Sequence, residues 1–190
     1  MNNHHTSQWV LATLLIIFGF ALRLIPHPAN VAPIGAIAMF SALYLPRRIA
    51  LIMPLGIMLI SDLFIGFYTW QILLSVYASF VLVGLIGFWV RKHKAFFTVV
   101  GGTVLGSAAF FLITNGAVWA FSGMYPPTFA GLLQSYFMGL PFFRNTLFGD
   151  LLYVGFLVGG FETIQYFLRS FLEFKQTKGG KGWKFPVGIF

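Results

Sequence analysis

The sequence predicts an all-α integral membrane protein: a bundle of six transmembrane helices with both termini on the cytoplasmic side. Two observations carry this. Hydrophobic residues make up 58% of the chain and charged residues only 8%, against about 25% charged in a typical soluble domain. A water-soluble fold of this size could not bury so much apolar surface. The charges are also segregated: ten of the twelve Lys and Arg residues fall in Arg47-Arg48, in Arg91, Lys92 and Lys94, and in a tail carrying Arg169, Lys175, Lys178, Lys181 and Lys184. Long apolar segments separate these clusters.

The elements follow in order. Residues 1–8 form a tail without Lys or Arg, which argues against a cleavable signal peptide. Segment one, 9–25, is long enough to span and ends at Pro26-His27-Pro28. Segment two, 33–45, opens with a proline at the first helical position. Its 13 residues cover only about 20 Å, so it is a short helix or one that begins inside a cavity. Segment three, 49–66, is apolar except for Ser61 and Asp62, and Pro54 is expected to kink it. Segments four (70–90) and five (96–121) span. A helix over 129–140, closed by Pro141, is expected to lie at the interface or fold back into the bundle. Segment six, 146–168, spans, and 171–190 is a basic tail on the cytoplasmic side. The domain organisation is thus one transmembrane domain over 9–170.

With the N-terminus inside, the ten clustered positives all lie on the inner side, and Arg23 and Arg144 alone lie near the outer side. The net charge of +8 therefore reflects orientation and attraction to anionic lipid headgroups rather than nucleic-acid binding. The absence of cysteine excludes disulfides, thiolate catalysis and Cys-ligated metals.

Chain polarity collects the polar residues of the spans at the outer end: Arg23, His27, Asn30, Asp62, Trp70, Tyr77, Asn115, Trp119, Tyr125, Arg144, Asn145 and Asp150. Glu162, toward the inner end of segment six, is the exception. Ionisable groups within a span pair with one another or line an aqueous cavity. Asp62 could simply pin two helices together by pairing with Arg23 or Arg144. The size of the set favours a mixed polar and aromatic pocket open to the outside. The arginines would hold polar or anionic ligand groups, the aromatics would stack, and His27, between two prolines, would contact the ligand or ligate a metal within it. Small residues at helical spacing mark packing faces: Gly35, Ala38 and Ala42, then Gly102 and Gly106, then Gly155 and Gly159. No hydrolase triad, phosphate-binding glycine loop or metal-ligand spacing is present in the sequence, so an enzyme is not expected and no cofactor is required.

The run Arg23-Leu-Ile-Pro-His27-Pro-Ala-Asn30-Val-Ala-Pro33-Ile-Gly35-Ala resembles the pattern of a family of proposed membrane transport proteins. So do Ser61-Asp62, Val76-Tyr77, Thr114-Asn115-Gly-Ala-Val-Trp119, Tyr125-Pro126 and Pro141-Phe-Phe-Arg144-Asn145-Thr146. That family is similar to the substrate-binding S-components of energy-coupling-factor (ECF) vitamin transporters, in particular the BtuM-type cobalamin importers. The resemblance implies an S-component-like bundle in the cytoplasmic membrane of a prokaryote, capturing a vitamin-sized ligand such as a corrinoid from outside. His27, Asp62, Tyr77 and Arg144 would line its pocket, and an ECF-type energising module would be a partner. Two departures stand out. The BtuM-type cysteine that ligates cobalt is absent, and the Ala-xxx-Ala docking face of the first helix is missing, with Ala38 and Ala42 its nearest match. The competing classes are a membrane-embedded enzyme acting on a lipid or isoprenoid, with Asp62 and His27 as acid and base, and a structural subunit of a membrane complex.

Overall fold

The computed structural model describes residues 3–26, 31–67 and 69–178, with side chains described over 9–26, 31–67 and 69–171. Within them lie six α-helices and no strand: α1 (Asn3–Leu24), α2 (Ile34–Tyr44), α3 (Arg47–Ile65), α4 (Trp70–Lys92), α5 (Phe96–Phe121) and α6 (Phe129–Lys178). Four of them, α3, α4, α5 and the 129–171 stretch of α6, are long and apolar enough to cross a membrane. The outer faces are apolar too. Ile52, Phe64, Trp70, Phe97, Phe137, Phe148 and Phe156 are each 54% or more exposed, an arrangement that suits lipid and not water. This is the architecture of a multi-pass helical membrane protein.

Helix α2 sits at the centre. Ten of its eleven residues are buried, as expected of a helix that is apolar on every side. The other five helices surround it and all pack against it. Small residues permit the close approach. Gly87 of α4 lies against Ala42, and Gly102 of α5 lies against Val90 and reaches Met39. Ala38 and Ala42 are completely buried, so the nearest match to a docking face is a packing face inside the bundle. Gly155 and Gly159, by contrast, face open space.

The segment expected to stop at Pro141 does not stop. Residues 129–178 form one helix with Pro141 inside it. Proline removes one backbone hydrogen bond, and contacts with α5 on both sides of it keep the helix going. Ser135 Oγ donates to the Asn115 carbonyl at 2.9 Å, and Tyr136 Oη to the Leu112 carbonyl at 3.1 Å. Phe143 packs on Phe111 with ring centroids 4.8 Å apart. The 129–140 stretch thus lies along α5, antiparallel to it, instead of along the interface.

One end of the bundle gathers the basic loops. Glu162 accepts from Tyr44 Oη at 2.5 Å and pairs with Lys94, whose ammonium lies 4.1 Å from the Tyr44 ring centroid. Arg91 donates to the Leu45 carbonyl at 2.9 Å, and the Arg47 guanidinium lies 6.0 Å from the Phe88 ring centroid.

A cavity above the short central helix

The opposite end of the bundle is hollow, and the length of α2 is the reason. Eleven residues rise only about 16 Å, whereas the 26 residues of α5 rise about 39 Å. Beyond the N-terminus of α2 its neighbours continue, with a gap between them among the described residues. The resulting cavity measures about 550 Å³, within the range of small-molecule sites. Ile34, Gly35 and Asp150 form its floor, and Met124 and Tyr125 of the α5–α6 turn border it. Apolar side chains make most of the wall, among them Met58 of α3, Val76 and Phe80 of α4, Phe110 and Val118 of α5, and Met138 and Phe142 of α6.

Among the described residues, Arg23 is the one Lys or Arg in the lining. It is fixed from behind. Its Nη2 donates to Asp62 Oδ1 at 2.5 Å, its Nη1 contacts the Met58 sulfur, and Tyr77 Oη donates to the other Asp62 oxygen at 3.0 Å. The Asp62 side chain is fully buried and that of Arg23 is 12% exposed. The carboxylate, the guanidinium and the phenol thus form a unit spanning α1, α3 and α4, with one face on the cavity. Such a unit holds a cation in place where an untethered one would be too costly.

Asp150 does different work. It accepts from Ser107 Oγ at 2.7 Å and from the backbone N–H of Ala36. Ala36 is in the first turn of α2, where N–H groups have no partner within the helix. Pro33, at the N-cap position, supplies no side-chain bond. Asp150 of α6 therefore caps α2 across the bundle and places carboxyl oxygens at its positive dipole end. Gly35 makes room for it: a Cβ there would collide with the carboxylate.

Two threonine hydroxyls and one amide of the lining are satisfied locally. Thr114 Oγ1 bonds to the Phe110 carbonyl, Thr146 Oγ1 to the Phe142 carbonyl, and Asn115 Nδ2 to the Phe111 carbonyl. Of the polar and aromatic residues that the sequence places at the outer end, Arg23, Asn115, Tyr125 and Asp150 line the cavity. Asp62 and Tyr77 stand behind Arg23. Trp119 Nε1 donates to the Pro126 carbonyl at 3.0 Å and closes the α5–α6 turn. Trp70 is 67% exposed at the start of α4, a position that suits the aromatic belt of a membrane interface. Arg144 is exposed, Asn145 is half-buried, and neither is in the lining. His27 and Asn30 lie outside the described residues.

The family model for DUF6580, a family of unknown function, matches residues 3–171. The chain belongs to this family. No curated protein and no solved structure matches it. The DUF6580 match takes in all six helices up to Phe171, and with them Arg23, Asp62, Gly35 and Asp150.

Among the described residues no group of three or more His, Asp or Glu side chains could hold a metal. The apolar lining residues carry no signature in the sequence, because every span is apolar. Gly35 and Asp150 carry a faint one: a glycine two residues after the proline that opens a helix, and an acid stranded in an apolar run.

Proposed function

We propose that this chain is a substrate-binding component of a membrane transport system. It crosses the bilayer with its basic end and both termini in the cytoplasm, and takes a vitamin-sized ligand into the cavity from the other side. In this reading α2 is the short sixth member of the bundle, and the positive-inside rule sets the orientation. The observation that carries the proposal is the cavity of about 550 Å³, apolar on most of its wall, with one immobilised arginine. That combination fits a ligand with an apolar or flat body and one carboxylate, phosphate or carbonyl group. The likeness of the motifs to a family of proposed membrane transport proteins, itself similar to ECF S-components, supports the same class and makes corrinoids one set of candidates. With Ala38 and Ala42 buried, an energising module would have to dock on another face.

The test is ligand identification followed by two variants. Protein purified from its native membrane is extracted and the extract analysed by mass spectrometry. Binding of the identified compound is then measured, with corrinoids and carboxylated vitamins as a reference panel. Val118→Trp pushes an indole into the cavity and is expected to weaken binding strongly while the protein stays folded. Arg23→Lys keeps the charge opposite Asp62 but loses the two-pronged guanidinium. A weakening of about 10- to 100-fold is expected, the size of one charged hydrogen bond. Wild-type affinity in both folded variants would overturn the proposal.

A further inference from the structure

At the basic end of the bundle two loops meet in one corner. Arg91, in the last turn of α4, donates to the carbonyl of Leu45 in the α2–α3 connection, and Arg47, at the start of α3, lies over Phe88 of α4. Arg48 and Lys92 are the next residues along, and all four side chains are exposed. Among the described side chains no acid offsets them locally. The chain has four acidic residues in all. Asp62 and Asp150 are committed at the other end, and Glu162 is engaged by Lys94 and Tyr44. The fourth, Glu173, lies outside the described side chains.

The corner offers more than charge. Helix α3 begins at Arg47 behind Pro46, which supplies no side-chain cap. The N–H groups of its first turn are therefore open to an external acceptor, at the positive end of the helix dipole. Two guanidinium groups and these amides match the tetrahedral oxygens of a phosphodiester. The adjoining helix turns present apolar side chains on the outside, Ile52 of α3 and Trp89 of α4, 67% and 54% exposed. A free phosphate would use only the charges, whereas a phospholipid would use both the charges and these apolar turns.

We propose that the Arg47–Arg48–Arg91–Lys92 corner binds the headgroup of one anionic phospholipid, with its acyl chains along the exposed faces of α3 and α4. A zwitterionic lipid is disfavoured because its own cation would face four others.

Native mass spectrometry of the detergent-solubilised protein with equal amounts of phosphatidylglycerol and phosphatidylcholine tests this. The expected result is one phosphatidylglycerol retained in preference to phosphatidylcholine. Arg47→Gln should weaken retention about fivefold and Arg47→Gln with Arg48→Gln about 25-fold, since each basic residue near an anionic headgroup contributes about that factor. Both positions are exposed, so the variants leave the core intact, and Arg91, which bonds to backbone, is left in place. Arg144→Gln, a cation removed at the other end, should change nothing. Equal retention of the two lipids by the wild type would overturn the proposal. So would unchanged preference in the double variant, an equal loss in Arg144→Gln, or displacement of the lipid by excess inorganic phosphate.

Discussion

Asp62→Ala is expected to destabilise the protein by about 3–5 kcal/mol, the cost of leaving one half of a buried ion pair without its partner. The geometry explains the size. Asp62 is fully buried and accepts from both Arg23 and Tyr77, so its removal strands a guanidinium and a phenol together. Thermal unfolding in detergent, followed by intrinsic fluorescence, should show a large fall in Tm, with loss of ligand binding as Arg23 leaves the cavity wall. The companion variant separates charge from packing. Replacing both residues, Arg23→Leu with Asp62→Leu, should recover most of the stability, because an apolar pair of similar volume avoids the desolvation cost, but it should not recover binding. If Asp62→Ala unfolds at the wild-type temperature, the three-helix unit is not what fixes Arg23.

Gly35→Ala is the second large effect, from the addition of a single methyl group. The new Cβ would overlap the Asp150 carboxylate, which must then leave the N-terminus of α2. Loss of a cap costs about 0.5–2 kcal/mol, and overpacking a tight core costs about 1–3 kcal/mol. A combined loss of about 1.5–5 kcal/mol in the same unfolding assay is the expected result. Asp150→Gly in the Gly35→Ala background relieves the overlap but not the missing cap, so it should restore only part of the loss. A Gly35→Ala protein as stable as wild type would show that Asp150 does not need the space glycine leaves.

Periodicity and composition made most of the helices legible. The fifth segment, 96–121, matches α5 at both ends, α4 runs two residues past its expected end, and α3 begins two residues earlier and ends one residue earlier than expected. The shortness of α2 was legible too, since Pro33 and Pro46 bracket it, and with it the idea that it begins inside a cavity. The continuity of α6 was not. A proline is a local signal, whereas the bonds from Ser135 and Tyr136 to α5 are made by residues far apart in the chain. Of the charges that the sequence singled out for a ligand, Arg23 lines the cavity with Asp62 behind it, Arg144 lies outside the lining, and the apolar walls were illegible. Arg23 with Asp62 was one of two pairings the sequence allowed. The position of Asp150 at the end of α2 could not be read, because it depends on how two helices more than a hundred residues apart cross. The aromatic residues Trp70, Tyr77 and Trp119 look alike in a sequence but serve an interface, an ion pair and a turn.

The cap on α2 also sets an order of events. Ile34–Tyr44 is made early, and Asp150, which completes its first turn, belongs to the last of the six described helices to leave the ribosome. At about 16 Å, α2 is too short to rest across a bilayer by its own hydrophobicity. It must wait, partly sheltered by its neighbours, until α6 arrives. The cap at the centre of the finished protein is therefore expected to form only once α6 has been made. A nascent chain arrested before Asp150 should hold an unsettled second helix, open to quality-control proteases that the complete chain resists.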